Sequence, residues 1–339
     1  MGGRGEQANA RPGHFGKILA ATIFTILAGL ETARASIHCA EPPPAVRNMT
    51  ADTFYVDRPR SIMDARTVRR NEDSLRRLDD GLTSIIEGAD VALRKNSETA
   101  GRCSALWLAT WARDGAMLGR MGRPQAEYER KWRTAGIAIA YLKLKAFATS
   151  EQRATIETWL LALAQRVGKD RASHDSHRNW AALVQTAVGV ATGGADPFES
   201  GRQLYDEALR DIASDGSLHA EMQRAGRALH YHNYALAPLV MMAELAALRG
   251  EDWYARAGGA IHRLVGFTVA GLNDPVTFSA RAGAPVDLPR DGILAWVSFY
   301  GQRFPDRFNG INPFDRFNYY WLGGDTTATL SLWSRARAG

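Results

Sequence analysis

The sequence predicts an all-α protein built of helix hairpins, and three observations carry that prediction. Apolar residues recur at helical spacing through most of the chain. Short turns containing Gly or Asp, such as "TGGADP" and "ASDGS", separate the apolar runs. Strand-like alternation is scarce. Repeated helix hairpins of this size form an α/α toroid or a solenoid. No clear sequence repeat is present, which disfavours a regular solenoid.

Taken in order, the first 35 residues read as a secretory signal peptide. Lys17 precedes an apolar run from Ile18 to Leu30, and Ala33-Arg34-Ala35 supplies an A-x-A cleavage site. The run is too short to span a bilayer comfortably, so a membrane anchor is the weaker reading. No later stretch has the length and apolarity of a transmembrane helix. The expected mature chain, Ser36 to Gly339, is a single exported domain, periplasmic in a bacterium. Residues 36–68 carry prolines without a period and form an irregular leader.

Helices follow over roughly 70–94, 103–121, 125–147, 178–193, 198–213, 236–249, 252–270 and 325–336. Between the third and fourth of these, Thr149 and Gln152 form a capping box. Ile156, Trp159, Leu160, Leu163 and Val167 then recur at helical spacing, and Gly168 closes that helix. The stretch 272–320 is rich in Gly, Pro, Asp and Arg and reads as loops with short helices.

Charge and cysteine content narrow the function. The chain has 42 Lys and Arg against 36 Asp and Glu, a net +6, with no basic block. An anionic partner is permitted, and nucleic acid is disfavoured for an exported chain without a basic stripe. The two cysteines, Cys39 and Cys103, form an even pair in an oxidising compartment, which favours one disulfide. Neither has a histidine partner in a nucleophile motif.

Two polar clusters stand out. In "GRALHYHNYALAPLVMMAEL", Arg227, His230, Tyr231, His232, Asn233 and Tyr234 crowd against a buried apolar run that needs none of them. In "SHDSHRNWAALVQTAVGVATGG", His174 to Asn179 precede an apolar helix in the same way. Element boundaries are where a rigid scaffold presents functional groups, so both clusters could face one cleft. Arg227 and Tyr234, seven apart, share a face if the segment is helical, although Pro238 obscures the helix start. A zinc reading would use His174, His177, His230 and His232, but no H-E-x-x-H or comparable ligand set is present, and no metal or cofactor is expected. Nine tryptophans and the run "YYWLGGD", Tyr319 to Asp325, add aromatic rings suited to stacking on sugars.

These residues carry a resemblance. The chain resembles the bacterial periplasmic alginate lyases, the poly(β-D-mannuronate) lyase family (polysaccharide lyase family 5). The likeness lies in "CSALWLATWARDGAMLG", "KWRTAGIAIAYLKLK", "SHRNWAALVQTAVGVAT", "RALHYHNYALAPLVMMA" and "WLGGDTT", in the family's order. It implies an incomplete (α/α) toroid with a deep substrate cleft and a Cys39–Cys103 disulfide. It also implies a catalytic core of His177, Arg227 and Tyr234. Substrate contacts are expected from Ser176, Arg178, Arg60, Trp132, Tyr231 and Tyr320, in a monomer that binds an anionic polysaccharide. Two positions depart from the family. Ser176 stands where the family has an asparagine for the uronate carboxylate. The lid segment "DRPRSIMD" offers Arg58 and Arg60 but no tyrosine for the family's lysine–tyrosine pair.

The implied reaction is β-elimination of a 4-linked uronate. It needs a cation on the carboxylate, a base for the C5 proton and an acid for the leaving C4 oxygen. Arg227 suits the first task, as a bidentate cation. Tyr234 suits both proton transfers where the C5–H and C4–O bonds are syn, with its pKa expected to be lowered by a neighbouring cation. His177 assists. Polyglucuronate shares the C4 and C5 configuration of polymannuronate and needs no new chemistry. Two alternatives stay open: a glycoside hydrolase using Asp114, Asp175 or Glu221, and a non-catalytic polysaccharide-binding protein.

Overall fold

The computed structural model describes residues 37–168, 175–289, 291–308, 312–313 and 315–338; the predicted signal peptide and His174 lie outside them. Helix starts are written into local chemistry. α1 (Ala65–Arg94) begins at Asp64, whose carboxylate accepts the Thr67 N–H at 3.0 Å. α2 (Glu98–Arg113) begins at Ser97 in the same manner. α3 (Pro124–Leu144) opens on proline, whose missing N–H costs nothing in a first turn. α4 (Ser150–Val167) starts at the expected capping box: Thr149 and Gln152 exchange side chain-to-backbone bonds of 2.9 and 3.2 Å. α5 (Ser176–Thr192) is capped by Asp175 and stops at Gly193, in the left-handed region at φ 74°. There follow α6 (Ala195–Arg210), α7 (His219–Met222), α8 (Ala228–Ala247), α9 (Arg256–Asn273), α10 (Pro275–Ala282), α11 (Trp296–Arg303) and α12 (Thr326–Ala338).

Burial sorts these helices into two layers. α3, α5 and α8 are buried on nearly every face, so they form the inner layer. α2, α4 and α6 bury one stripe each and lie outside as hairpin partners. α5 packs on α3, α6 and α8, and α12 returns against α1. This is the helix-hairpin toroid that the periodicity predicts. The return is locked by Asp325, which accepts from Arg94 and Arg316 and caps α12 through the Thr327 and Ala328 N–H groups. That lock accounts for the aspartate of "WLGGDTT". Gly136 of α3 lets the same segment approach, because a Cβ there would sit 1.9 Å from the Tyr320 carbonyl oxygen.

Three boundaries differ from expectation. α2 ends at Arg113 rather than near 121, where the chain turns through Gly115 and Met117 at φ 68° and 59°. α1 starts at Ala65, inside the expected leader. α8 starts at Ala228, not 236, and runs straight through Pro238. Proline leaves the carbonyl four residues earlier without its helical donor. That carbonyl belongs to Tyr234, and the Trp180 indole N–H takes it at 3.1 Å.

The leader is pinned to α2 by the Cys39–Cys103 disulfide. Trp107 and Trp111 of α2 donate to the Ala40 and Pro43 carbonyls at 2.9 and 2.8 Å. Further on, Val56 N–H bonds Ile62 O, and the Asp57 carboxylate accepts the Ser61 and Ile62 N–H groups. This tight hairpin carries Tyr55, Arg60 and Met63 to one face of the protein. Among the described residues no helix is long and apolar enough to cross a membrane.

Candidate active site

A cleft of about 870 Å³ opens where the leader hairpin meets the inner helices. Helix phase decides what enters it. On α3, Gln125, Tyr128 and Trp132 follow at three and four residues and line one wall. On α8, His230, Tyr231 and Tyr234 line a second, with Arg227 at the helix entry. α5 contributes His177, the segment after β1 (Asn318–Tyr319) contributes Trp321, and Tyr319 closes the floor. The two polar clusters singled out in the sequence therefore meet.

Tyr234 sits at the centre, 5% exposed. Its hydroxyl oxygen accepts the Trp132 Nε1–H at 2.6 Å, which leaves its own proton free for another acceptor. Trp132 is held by stacking on Trp321 at 4.3 Å. Burial, then Tyr319 and Tyr231, push the Tyr234 pKa well above the ordinary tyrosine value, while the Trp132 bond pulls it down. The expected lowering by an adjacent cation is thus reversed. Desolvation is the largest cause, and the resting group is a neutral phenol.

His177 stacks on Tyr128 with ring centres 3.9 Å apart. Its backbone N–H donates to Asp175 at 3.0 Å and its backbone carbonyl accepts from Lys131 Nζ at 3.1 Å. Burial pulls its pKa down to about 3, against Asp175 and with help from Lys131, Arg60 and Arg224. The imidazole is therefore neutral, and its Nδ1 is buried without a partner. Arg227 lies half-buried at the rim, Nη1 3.8 Å from the Met63 sulfur, and its buried Nε is likewise unpartnered. A cation and two neutral proton carriers thus face one cavity.

The structure also separates residues that the sequence reading grouped. Tyr234, His177, Arg227, Arg60, Trp132 and Tyr231 line the cleft. Ser176 and Arg178 do not. They flank His177 on α5, and successive helical residues point about 100° apart. Both line a small rear pocket of about 200 Å³, where Ser176 N–H donates to Glu221 and Arg178 pairs with Asp211. Ser176 is thus no carboxylate contact in this arrangement. Tyr320 turns out of the cleft and donates to Glu87 at 2.8 Å, while its neighbours Tyr319 and Trp321 face in.

Several lining residues were not anticipated. Tyr55 lies upstream of the "DRPRSIMD" segment, and Tyr231 donates to its hydroxyl at 2.9 Å, so the leader does bring a tyrosine to the cleft. Tyr128 and Gln125 share the face of Trp132 at helical spacing, a signal present in the sequence. His230 is neutral too, its pKa lowered to about 3 by burial and then by Arg227.

The hydrolase alternative loses its carboxylates. Asp114 ends α2, and Glu221 is buried against Arg224 in the rear pocket with Asp175. Among the described lining residues Asp287 is the one carboxylate, so no acid pair flanks the cleft. His232 is turned away, its ring nitrogens 2.8 Å from Ala228 O and 3.0 Å from Leu218 N. Among the described residues no three His, Cys, Asp or Glu side chains gather as metal ligands.

The family and the relatives that this chain matches make it a polysaccharide lyase. The chain belongs to the alginate lyase family, whose model matches residues 48–278. It is 39% identical to a polysaccharide lyase of Stenotrophomonas maltophilia, over 88% of this chain and 92% of that protein. It is 30% identical to an alginate lyase of Pseudomonas putida, over 88% of this chain and 86% of the relative. Its fold matches alginate lyase A1-III in complex with a tetrasaccharide, with a TM-score of 0.76 at 24% identity, covering 85% and 84% of the two chains.

Proposed function

We propose that this enzyme cleaves a 4-linked polyuronate, polymannuronate or the C2-epimeric polyglucuronate, by β-elimination, as a periplasmic monomer freed of its signal peptide. Relatives named alginate lyases point to the substrate class. The observation that carries the reaction type is the Trp132–Tyr234 bond beside Arg227 and His177, because it equips one phenol to ionise and to be reprotonated.

In turnover, Arg227 binds the uronate carboxylate and spreads the charge that develops as C5 loses its proton. Substrate displaces water and brings the reacting unit against Tyr234. The phenolate form of Tyr234, held by the Trp132 N–H, takes the C5 proton. The C5 electron pair becomes the C4=C5 double bond and expels the C4 oxygen. Tyr234, now a phenol on the same face, returns the proton to that oxygen. Base and acid are one residue, so no net proton is stored. Neutral His177, orphaned at Nδ1, holds the carboxylate region without competing for the proton. Tyr128, Trp321 and Tyr55 supply rings on which neighbouring sugars stack.

The test is a panel of polymannuronate, polyguluronate and polyglucuronate, read by ultraviolet absorbance of the conjugated product. Absorbance growth on the first or third supports the proposal. New reducing ends without absorbance would establish hydrolysis instead.

A further inference from the structure

Beyond Tyr128 lies a second pocket. Pro124 and Tyr128 line both it and the main cleft. It holds about 380 Å³, and its other walls are Glu127, Arg130, Lys131, Arg166 and Val167. Among the described lining residues its charge is lopsided, with three cations facing one carboxylate. Lys131 is engaged with the His177 carbonyl and lies 4.9 Å from the centre of the Tyr128 ring. Glu127 is engaged by Arg130.

Two arginine groups there lack an acceptor among the described residues: the Nε edge of Arg130, whose Nη2 is held by Glu127, and Arg166. Arg130 is 5% exposed, yet its Nε–H finds no acceptor. Burial pushes its pKa down, Glu127 opposes this, and the positive charge of Arg166 lowers it further. Arg166, in the last turn of α4, is exposed and makes no ion pair among the described residues. A buried guanidinium N–H without an acceptor, beside a like charge, is an arrangement that an anion relieves. The planar fork of arginine matches a carboxylate, and both arginines lie next to the wall that carries the catalytic histidine's stacking partner.

We propose that this pocket is a second anion subsite, which takes the carboxylate of a uronate unit further along the same chain than the unit held at Tyr234. The assignment rests on the polyuronate reading and extends it. A polymer long enough to reach past Tyr128 gains a charged anchor that a short oligomer does not. Affinity then rises with chain length until the pocket is filled, and the enzyme favours internal bonds of long chains.

The experiment uses the inactive Tyr234→Phe protein, titrated calorimetrically with size-fractionated oligomannuronates, oligoglucuronates and the parent polymers. A second protein adds Arg166→Glu, and a third adds Arg130→Gln. Arg166 is exposed, so its substitution leaves the fold intact and decides the matter even if the Arg130 variant fails to fold. The expected result is unchanged affinity for the shortest binding oligomer and a loss of tenfold or more for chains that reach the pocket. Length dependence left intact by Arg166→Glu, or an equal loss at every length, overturns the subsite alone. No binding of any polyuronate at any length overturns the polyuronate reading and the subsite with it.

Discussion

Replacing Trp132 by phenylalanine isolates the bond on which the chemistry depends. An aromatic ring remains to face Trp321, which stacks on the indole at 4.3 Å, while the Nε1–H that reaches Tyr234 at 2.6 Å is removed. In the resting protein that bond joins two neutral groups, worth about 1 kcal/mol. When Tyr234 carries negative charge the same bond becomes charge-assisted, worth about 1.5–3 kcal/mol. Because it strengthens by about 0.5–2 kcal/mol as the phenolate forms, that difference falls on the barrier, about 2–30-fold in kcat. KM should change little, since the indole nitrogen is occupied by Tyr234 rather than by sugar. Initial rates from product absorbance across a range of substrate concentration separate the two constants, and circular dichroism checks the fold. A wild-type kcat in Trp132→Phe would refute the idea that this N–H stabilises the reacting oxygen.

Other outcomes follow from the same geometry. With the Tyr234 pKa raised above its ordinary value and only the phenolate able to take the C5 proton, kcat/KM should climb with pH from about 6 to 9, with log slope near 1; a plateau through that range would give the base role to His177. His177 and His230 are neutral when folded, with pKa near 3 against an ordinary 6.5. Their contribution to stability is therefore complete above about 6.5 and lost as pH falls from there toward 3, visible as falling urea midpoints. Trp180→Phe strips the Tyr234 carbonyl of the donor that replaces the Pro238 N–H. It should cost about 1–3 kcal/mol in chemical denaturation and lower kcat several-fold. Reduction of Cys39–Cys103, which closes a separation of 64 residues, should cost about 2–4 kcal/mol in the same assay and weaken substrate binding, because the leader carries Tyr55 and Arg60.

Much of this fold is legible because its signals are local. The Thr149–Gln152 box fixes one helix start to the residue, and the period from Ile156 to Val167 fixes its buried stripe. The site is half legible. Arg227, His177 and Tyr234 could be placed in one cleft because each sits at the polar edge of an apolar helix. Ser176 enters through its correspondence with the family's carboxylate-binding asparagine and Arg178 as its neighbour, yet a helix turns the residues beside His177 away from it, and both face the rear pocket. Pro238 looked like a boundary, because nothing in its vicinity announces that Trp180, 54 residues from Tyr234, supplies the missing donor. The protonation of Tyr234 was misjudged for a related reason. Sequence shows which charges are near in the chain, whereas desolvation depends on how completely three helices close around the ring.

The central claim is that one phenol carries the proton from C5 to the leaving oxygen, and Tyr234→Phe tests it most directly. This substitution keeps the ring, its packing against Trp180 and the helix, and removes only the hydroxyl. Polymannuronate and polyglucuronate are each incubated with the wild type and the variant at equal occupancy, verified by calorimetric binding, while unsaturated product is followed by absorbance. The account predicts retained binding with a rate at least 10²–10⁴-fold lower, the range that acid–base groups commonly supply. Elimination by Tyr234→Phe within a few-fold of the wild-type rate would contradict it.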